Sequence, residues 1–290
     1  MSSRGPRGVF VGLATLDVIS RVEQLPPANG KVSADWQQLA AGGPATGAAV
    51  VFAALGGQAH LVTRIGQGPV AQLVRADLAA VGVQVSDLAE PGYTPPVSSV
   101  SVHAPTGDRQ VVGRDAPEVA TPLTHLPASV VEALRSADVV LLDGHHPDLA
   151  RSAAGVRAGA RLVLDAGRYK PVFADVLPVC TDVIASSDFT PPGESDPLDA
   201  LVAAGVSVAA VSAGGASLRW RIAGEAGELH PPKVQVLDTL GAGDTLHGAY
   251  AFEVASGRAP LEGLIEGMRI ASTSCTQPGT RSWLTLLRAH

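Results

Sequence analysis

Short β-branched runs alternate with Ala/Leu-rich segments of helical spacing along almost the whole chain, and this rhythm limits the fold more than any other feature. A parallel sheet covered by helices on both faces produces such a pattern. Each parallel strand needs a long crossover before the next, and strands buried on both faces read as unbroken apolar runs. The pattern predicts strands at Gly8–Leu13, Ala59–Ile65, Asp138–Leu142, Arg161–Leu164, Asp182–Ala185, Ser207–Val211 and Val234–Leu237. Helices are predicted at Ala45–Leu55, Pro69–Val81, Ser129–Leu134, Pro147–Ala158, Pro197–Ala204, Gly243–Ala255 and Leu261–Ser274. Pro69–Val81 carries Leu73, Ala76 and Ala80 at helical spacing.

Two stretches break the rhythm. Lys31–Leu39 and Val97–Arg114 read as β segments with no helix between, and Thr106-Gly107-Asp108 is a hairpin turn signal. Inserted strands of this kind form a small separate sheet, which is either a lid over a pocket or an edge extension without a role. A second hairpin is expected at Leu218–Ile222 and Glu228–His230.

Composition narrows the function classes. The formal charge is −6, which argues against capture of nucleic acid by a basic surface. No apolar run approaches the ~18–20 residues of a membrane span. Cys180 and Cys275 cannot supply a disulfide framework or a four-ligand zinc site, and they fit a reducing compartment. A cytoplasmic protein is expected, with no nucleic-acid and no membrane partner.

The most informative segment runs from Val236 to Gly248. A strand is expected to end at Asp238, followed by a glycine-rich turn from which a helix begins. Gly241 and Gly243 let the backbone approach a ligand closely. The first free N–H groups of the helix, with the positive end of its dipole behind them, suit negative charge on a transferring phosphoryl group. Asp244 stands in the first turn, where it can accept a proton from an attacking hydroxyl or merely stabilise the helix start. A Rossmann turn should open the first βαβ unit, and this one lies near the end of the chain. No glycine-rich loop is followed by Lys-Ser/Thr, so a P-loop is excluded.

Asp238-Thr239-Leu240-Gly241-Ala242-Gly243-Asp244 resembles the C-terminal signature of the ribokinase-like (PfkB) carbohydrate kinases. Gly42-Gly43-Pro44-Ala45-Thr46-Gly47-Ala48, running through Leu55-Gly56 into Val62–Gly66, is similar to the family's glycine-pair motif, helix and following strand. Gly12–Asp17 matches the place where the family sets an acid after its first strand. The resemblance covers nearly the whole chain. It implies a three-layer α/β/α sandwich over residues 1–290, with a mostly parallel central sheet and lid segments at about 14–40 and 93–115. It implies transfer of a phosphoryl group from Mg-ATP to a hydroxymethyl group of a small-molecule sugar. A monovalent cation is a further candidate cofactor, and a homodimer joined through the lids a candidate assembly.

By the same resemblance Asp244 is the base, and Gly241, Ala242, Gly243 and Asp244 form the anion hole. Asp17 and the backbone at Gly42 and Gly43 hold sugar hydroxyls. On the nucleotide side, Ser212, Gly214, Gly215 and Ser217 resemble the loop near the ATP phosphates, with Ser217 where the family has Gly. Ala271 to Cys275 would line the adenine pocket. The family's magnesium motif is missing from Ala185–Thr190, where Ser187 would lie by the nucleotide and Asp188 is the substitute metal partner. Arg168 stands either near phosphate or on the surface.

Gly47 replaces the family's usual Asn and is expected to leave space in the sugar pocket. No Lys lies in the glycine-pair motif, which favours a free sugar over a sugar phosphate. Lys31, Arg109 and Arg114 of the lid segments either meet an acidic substituent or sit on the surface. The Gly-Gly-Pro variant and the run Cys275–Arg281 resemble the branch of ketohexokinase-like and sulfofructose kinase-like enzymes, pointing to a ketose. His145 and His146 either line the sugar pocket or, with Asp148, bind a metal. A nucleoside kinase of the same fold and a non-catalytic sugar- or nucleotide-binding regulator are the alternatives.

Overall fold

The computed structural model describes residues 5–287 apart from 118, 194 and 195. The first strands are Arg7–Val11 (β1), Thr15–Val22 (β2), Ala34–Gly42 (β3), Gln58–Thr63 (β4) and Gln84–Asp87 (β5). Val97–His103 (β6), Arg109–Val112 (β7), Val139–Leu142 (β8) and Arg161–Ala166 (β9) follow. The last are Asp182–Ser186 (β10), Val208–Ser212 (β11), Leu218–Ile222 (β12) and Glu225–Leu229 (β13). The helices are Pro44–Ala54 (α1), Pro69–Ala80 (α2), Ala128–Ser136 (α3), Pro147–Val156 (α4) and Phe173–Val176 (α5). Pro197–Ala203 (α6), Ala242–Ala255 (α7), Pro260–Ser274 (α8) and Leu284–Leu287 (α9) complete them.

The central sheet has the order β13-β12-β11-β10-β9-β8-β1-β4-β5. Every pairing from β5 across to β11 is parallel, and β12 and β13 add an antiparallel hairpin at one edge. Successive strand residues feed opposite cores. Phe10, Leu61, Leu141 and Ile184 pack beneath α1, α2, α7 and α8, while Val9, Val62, Leu142 and Val183 pack beneath α3, α4, α5 and α6. This is the expected sandwich of a sheet between two helix layers. Among the described residues no helix is long and apolar enough to cross a membrane.

Four strands form a second sheet of order β3-β2-β6-β7. Ile19, Ala40, Val100 and Val102 make its small core, with Trp36 and Leu240 packed against them. The sheet therefore leans its apolar face over the start of α7.

Three local expectations change. Thr15–Val22 is a full strand and carries the middle of the small sheet, although its mixed residues gave no clear alternation. The strand expected at Lys31–Leu39 lies later, at Ala34–Gly42, because it pairs with β2 up to Thr15 opposite Gly42. The strand expected at Val234–Leu237 does not form. At its end the N–H groups of Leu237 and of the following Asp238 both reach the Cys275 carbonyl (2.8 and 3.2 Å), and Thr239 N–H reaches Gly107. Two prolines, Pro231 and Pro232, precede the segment and cannot donate to a ladder.

Candidate active site

The first turn of α7 is built from its own sequence. Gly241 is left-handed (φ 73°), the conformation that lets the loop turn sharply into the helix. The Asp238 carboxylate accepts from Leu240 N–H (2.8 Å) and Gly279 N–H (2.7 Å), tying the loop to the segment after α8. Ala242 N–H turns back to the Thr239 carbonyl at 3.3 Å. Among the described residues no acceptor meets the N–H groups of Gly243 and Asp244. Two free donors at a helix start are suited to an anion.

Asp244 projects from that turn into a confined carboxylate cluster. Burial raises its pKa well above the ordinary carboxylate value, and the nearby charges of Asp165, Asp17 and Asp143 raise it further against the opposing charge of Arg109. Behind it, His247 is buried between two carbonyls, with Nδ1 2.7 Å from Gly243 O and Nε2 3.0 Å from Ile184 O. Asp165 lies 3.4 Å from His247 Nδ1. Asp143 is held by N–H groups of Leu13 (2.9 Å), Ala45 (3.1 Å) and His145 (2.9 Å), pinning the ends of β1 and β8 to the start of α1.

Two cavities meet at this turn. The smaller, ≈ 30 Å³, is lined by Asp17, Gly42, Gly47, Gly241, Asp244 and Arg281, with an apolar back wall that includes Val50 and Trp283. Asp17 accepts a 2.8 Å bond from the Thr15 hydroxyl. Burial raises the Asp17 pKa, opposed by Thr15, Ser98 and the charge of Arg281. A Cβ on Gly42 would stand 2.0 Å from Asp17 Oδ2, so only glycine fits there. The larger cleft, ≈ 670 Å³, is lined by Ala242 and Gly243 on one side. Ser187, Asp188, Ser212, Gly214, Gly215 and Ser217 line it at the sheet edge, and Ala271 and Cys275 line it from α8.

The β6–β7 hairpin closes over the junction. Gly107 O accepts from Thr239 N–H (3.0 Å) and from the Thr239 hydroxyl (2.9 Å). Arg109 donates to Thr239 Oγ1 at 3.2 Å and lines the larger cleft.

The sequence pattern of the pfkB family carbohydrate kinases matches residues 7–286. The chain belongs to that family. An Arabidopsis thaliana ribokinase, solved with ribose and ATP, shares 24% identity and superposes with a TM-score of 0.75 over 98% of this chain and 99% of that one. Adenosine kinase from Sinorhizobium meliloti superposes with a TM-score of 0.81 at 20% identity, over 98% and 99% of the two chains. An ATP-dependent ribose-1-phosphate kinase of Halopiger xanaduensis is 32% identical over 167 residues, which is 56% of this chain and 54% of that protein.

Several residues singled out in the sequence of this carbohydrate kinase lie away from both cavities. Lys31 and Arg114 are exposed and line neither, because they sit beyond the ends of β3 and β7. Arg168 is likewise exposed and outside them. His146 is buried at the start of α4, where desolvation lowers its pKa to about 4. Asp148 is taken by a bidentate pair with buried Arg64 (2.6 and 3.0 Å), and neither His145 nor His146 lines the two cavities. Gly47 does line the smaller cavity, but the place its missing side chain would take is held by Asp244.

Among the described residues no group of three or more His, Cys, Asp or Glu side chains could cage a metal. Mg²⁺ needs no such cage when phosphates and water supply most of its oxygens. The single carboxylate of Asp188 beside the hydroxyls of Ser187 and Ser212 fits an ion that arrives with a nucleotide. Sequence reasoning missed Asp165, Asp143, Asp77 and His247. Asp165 and Asp143 each stand at the carboxyl end of a parallel strand, where ligands of such sheets gather, and that position was the available signal.

Proposed function

We propose that the protein transfers the γ-phosphoryl group of ATP to a hydroxymethyl group of a free sugar, in the smaller cavity. The carrying observation is that one helix turn serves both cavities. Gly241 and Asp244 face the small one and Ala242 and Gly243 the large one, so a phosphoryl group at the free N–H groups would lie between acceptor and nucleotide. In this reading Asp17 and the Gly42-Gly43 backbone orient the sugar. The acceptor oxygen forms a bond to the γ-phosphorus, the bond from that phosphorus to the β–γ bridging oxygen breaks, and ADP leaves.

Asp244 accepts the hydroxyl proton as the new bond forms, a task for which a raised pKa is an advantage. The N–H groups of Gly243 and Asp244, with Arg109 from the hairpin, meet the charge on the equatorial oxygens. Mg²⁺ bound with the nucleotide would supply charge neutralisation along the triphosphate, and Asp188 is the residue that would hold it. Ser187, Ser212, Gly214, Gly215 and Ser217 cradle the phosphates, and Ala271 and Cys275 lie along the base. The four-stranded sheet acts as the lid that excludes water.

A free sugar is favoured because the acceptor cavity holds two carboxylates, Asp17 and Asp244, and its cation Arg281 is already paired. The resemblance of Gly42-Gly43-Pro44 and of the run Cys275–Arg281 to the ketohexokinase-like branch supports a ketose. The test is ATP consumption across ketoses, aldoses, sugar phosphates and nucleosides, with the product's phosphorylated carbon located by ³¹P–¹³C coupling. Turnover of sugar phosphates or nucleosides above all free sugars would replace the acceptor assignment. Binding without turnover over the whole panel would replace catalysis by a regulatory role.

A further inference from the structure

Arg281 ties together three segments that are far apart in the chain. Its Nη2 donates to Asp77 Oδ2 (2.6 Å) and to the Ala41 carbonyl (2.7 Å), and its Nε also reaches Asp77 Oδ2 (3.2 Å). Nη1 is spent on the carbonyl (3.2 Å) and hydroxyl (3.1 Å) of Thr280. Asp77 in turn accepts the Ala41 N–H at 2.9 Å. Guanidinium, carboxylate and the two backbone groups of Ala41 thus close a ring.

The ring replaces a missing strand. β3 is the edge of the small sheet, and its outward N–H and C=O groups have no neighbouring ladder. At Ala41 the ion pair takes both, anchoring the end of the sheet to core helix α2 and to the segment after α8. The next residues are Gly42, pressed against Asp17, and Gly43, which starts α1. A shift of the β3 end therefore moves the acceptor pocket wall directly. The five guanidinium N–H groups match the five contacts above, so Arg281 has no donor left for a substrate although it lines the pocket.

We infer that Arg281 and Asp77 are a positioning pair for the acceptor: through the main chain of Ala41 they fix Gly42 and Gly43 relative to Asp17 and Asp244. Arg281 is then not an anion receptor, and the pocket takes a neutral polyhydroxyl compound. The inference rests on the kinase reading, and the experiment separates the two.

Arg281→Lys and Asp77→Asn are compared with wild type by hydrogen-exchange mass spectrometry and by steady-state kinetics with D-fructose, or D-ribose should wild type turn that over faster. Exchange in residues 38–43 accelerates at least ~10-fold in each variant, with the core strand Val139–Leu142 unchanged. The sugar KM rises about tenfold, while kcat and the KM for ATP stay within about twofold. The double variant is no worse than either single one, as expected of groups acting as a unit.

Unchanged exchange at 38–43 overturns the pair, as does a loss carried by kcat with an unmoved sugar KM. Failure of both variants to fold overturns it too, because the pair would then hold the fold rather than the pocket. If wild type turns over neither sugar nor any other acceptor, the kinase reading falls. Acceleration confined to 38–43 would in that case still support the clamp.

Discussion

A Cβ on Gly47 would stand 2.6 Å from Asp244 Oδ2 and 2.7 Å from Asp244 Cβ, so the bare backbone of α1 gives the carboxylate its place. Gly47→Ala should therefore displace Asp244 and lower kcat/KM by up to ~10²-fold, with the fold intact by circular dichroism. Normal turnover in a folded Gly47→Ala variant would show that the position of Asp244 is not critical.

Asp244→Asn separates catalysis from stability. Turnover should fall at least ~10²-fold with nucleotide binding nearly unchanged. Burial and three neighbouring carboxylates raise the Asp244 pKa, so the folded state binds this proton more tightly than the unfolded chain. Stability is then lost as pH rises from the ordinary carboxylate value through the raised one. The Asn variant escapes that loss. Its melting temperature should exceed that of wild type at neutral pH, and the gain should vanish below the ordinary carboxylate range. A lower melting temperature at neutral pH would contradict the assigned direction.

Asp165 is the largest charge contribution to the raised pKa of Asp244. A base works only when deprotonated, so the acid limb of kcat/KM should lie above the usual carboxylate range. In Asp165→Asn that limb should move to lower pH. The check is a pH–rate profile of each enzyme, and an unmoved limb would mean another group controls it.

Arg109 enters the larger cleft from the β6–β7 hairpin, which rests on Thr239. Arg109→Ala should lower kcat by about 10²-fold, the scale for losing one donor to transition-state charge. Deleting Thr106–Arg109 should in addition raise the sugar KM and the rate of ATP hydrolysis without sugar, because water then enters. An unchanged sugar KM after deletion would mean that the hairpin does not close over the acceptor.

Most elements of the central sheet were legible because their signals are local. Val139–Leu142 and Val208–Ser212 are short apolar runs, and Pro marks the first turn of α1, α2, α4, α6 and α8. Thr15–Val22 was not read as a strand, since its pairing with β3 and β6 is decided by segments up to 80 or so residues away. Val234–Leu237 misled for the reverse reason: it has strand-like residues, yet no strand pairs with it and the Leu237 N–H goes to the Cys275 carbonyl.

The glycine turn and Asp244 could be placed on one helix start from consecutive residues alone, because backbone conformation and helix-end donors follow from local sequence. The sequence likewise determined the layered α/β plan, since period and run length report burial. The electrostatics were decided only by the tertiary structure. Asp17, Asp143, Asp165 and Asp244 become one cluster, Arg109 reaches it from a hairpin, and Arg281 is cancelled by Asp77. A charge's effect depends on distance and on the water removed around it, and packing sets both for residues widely separated in the chain.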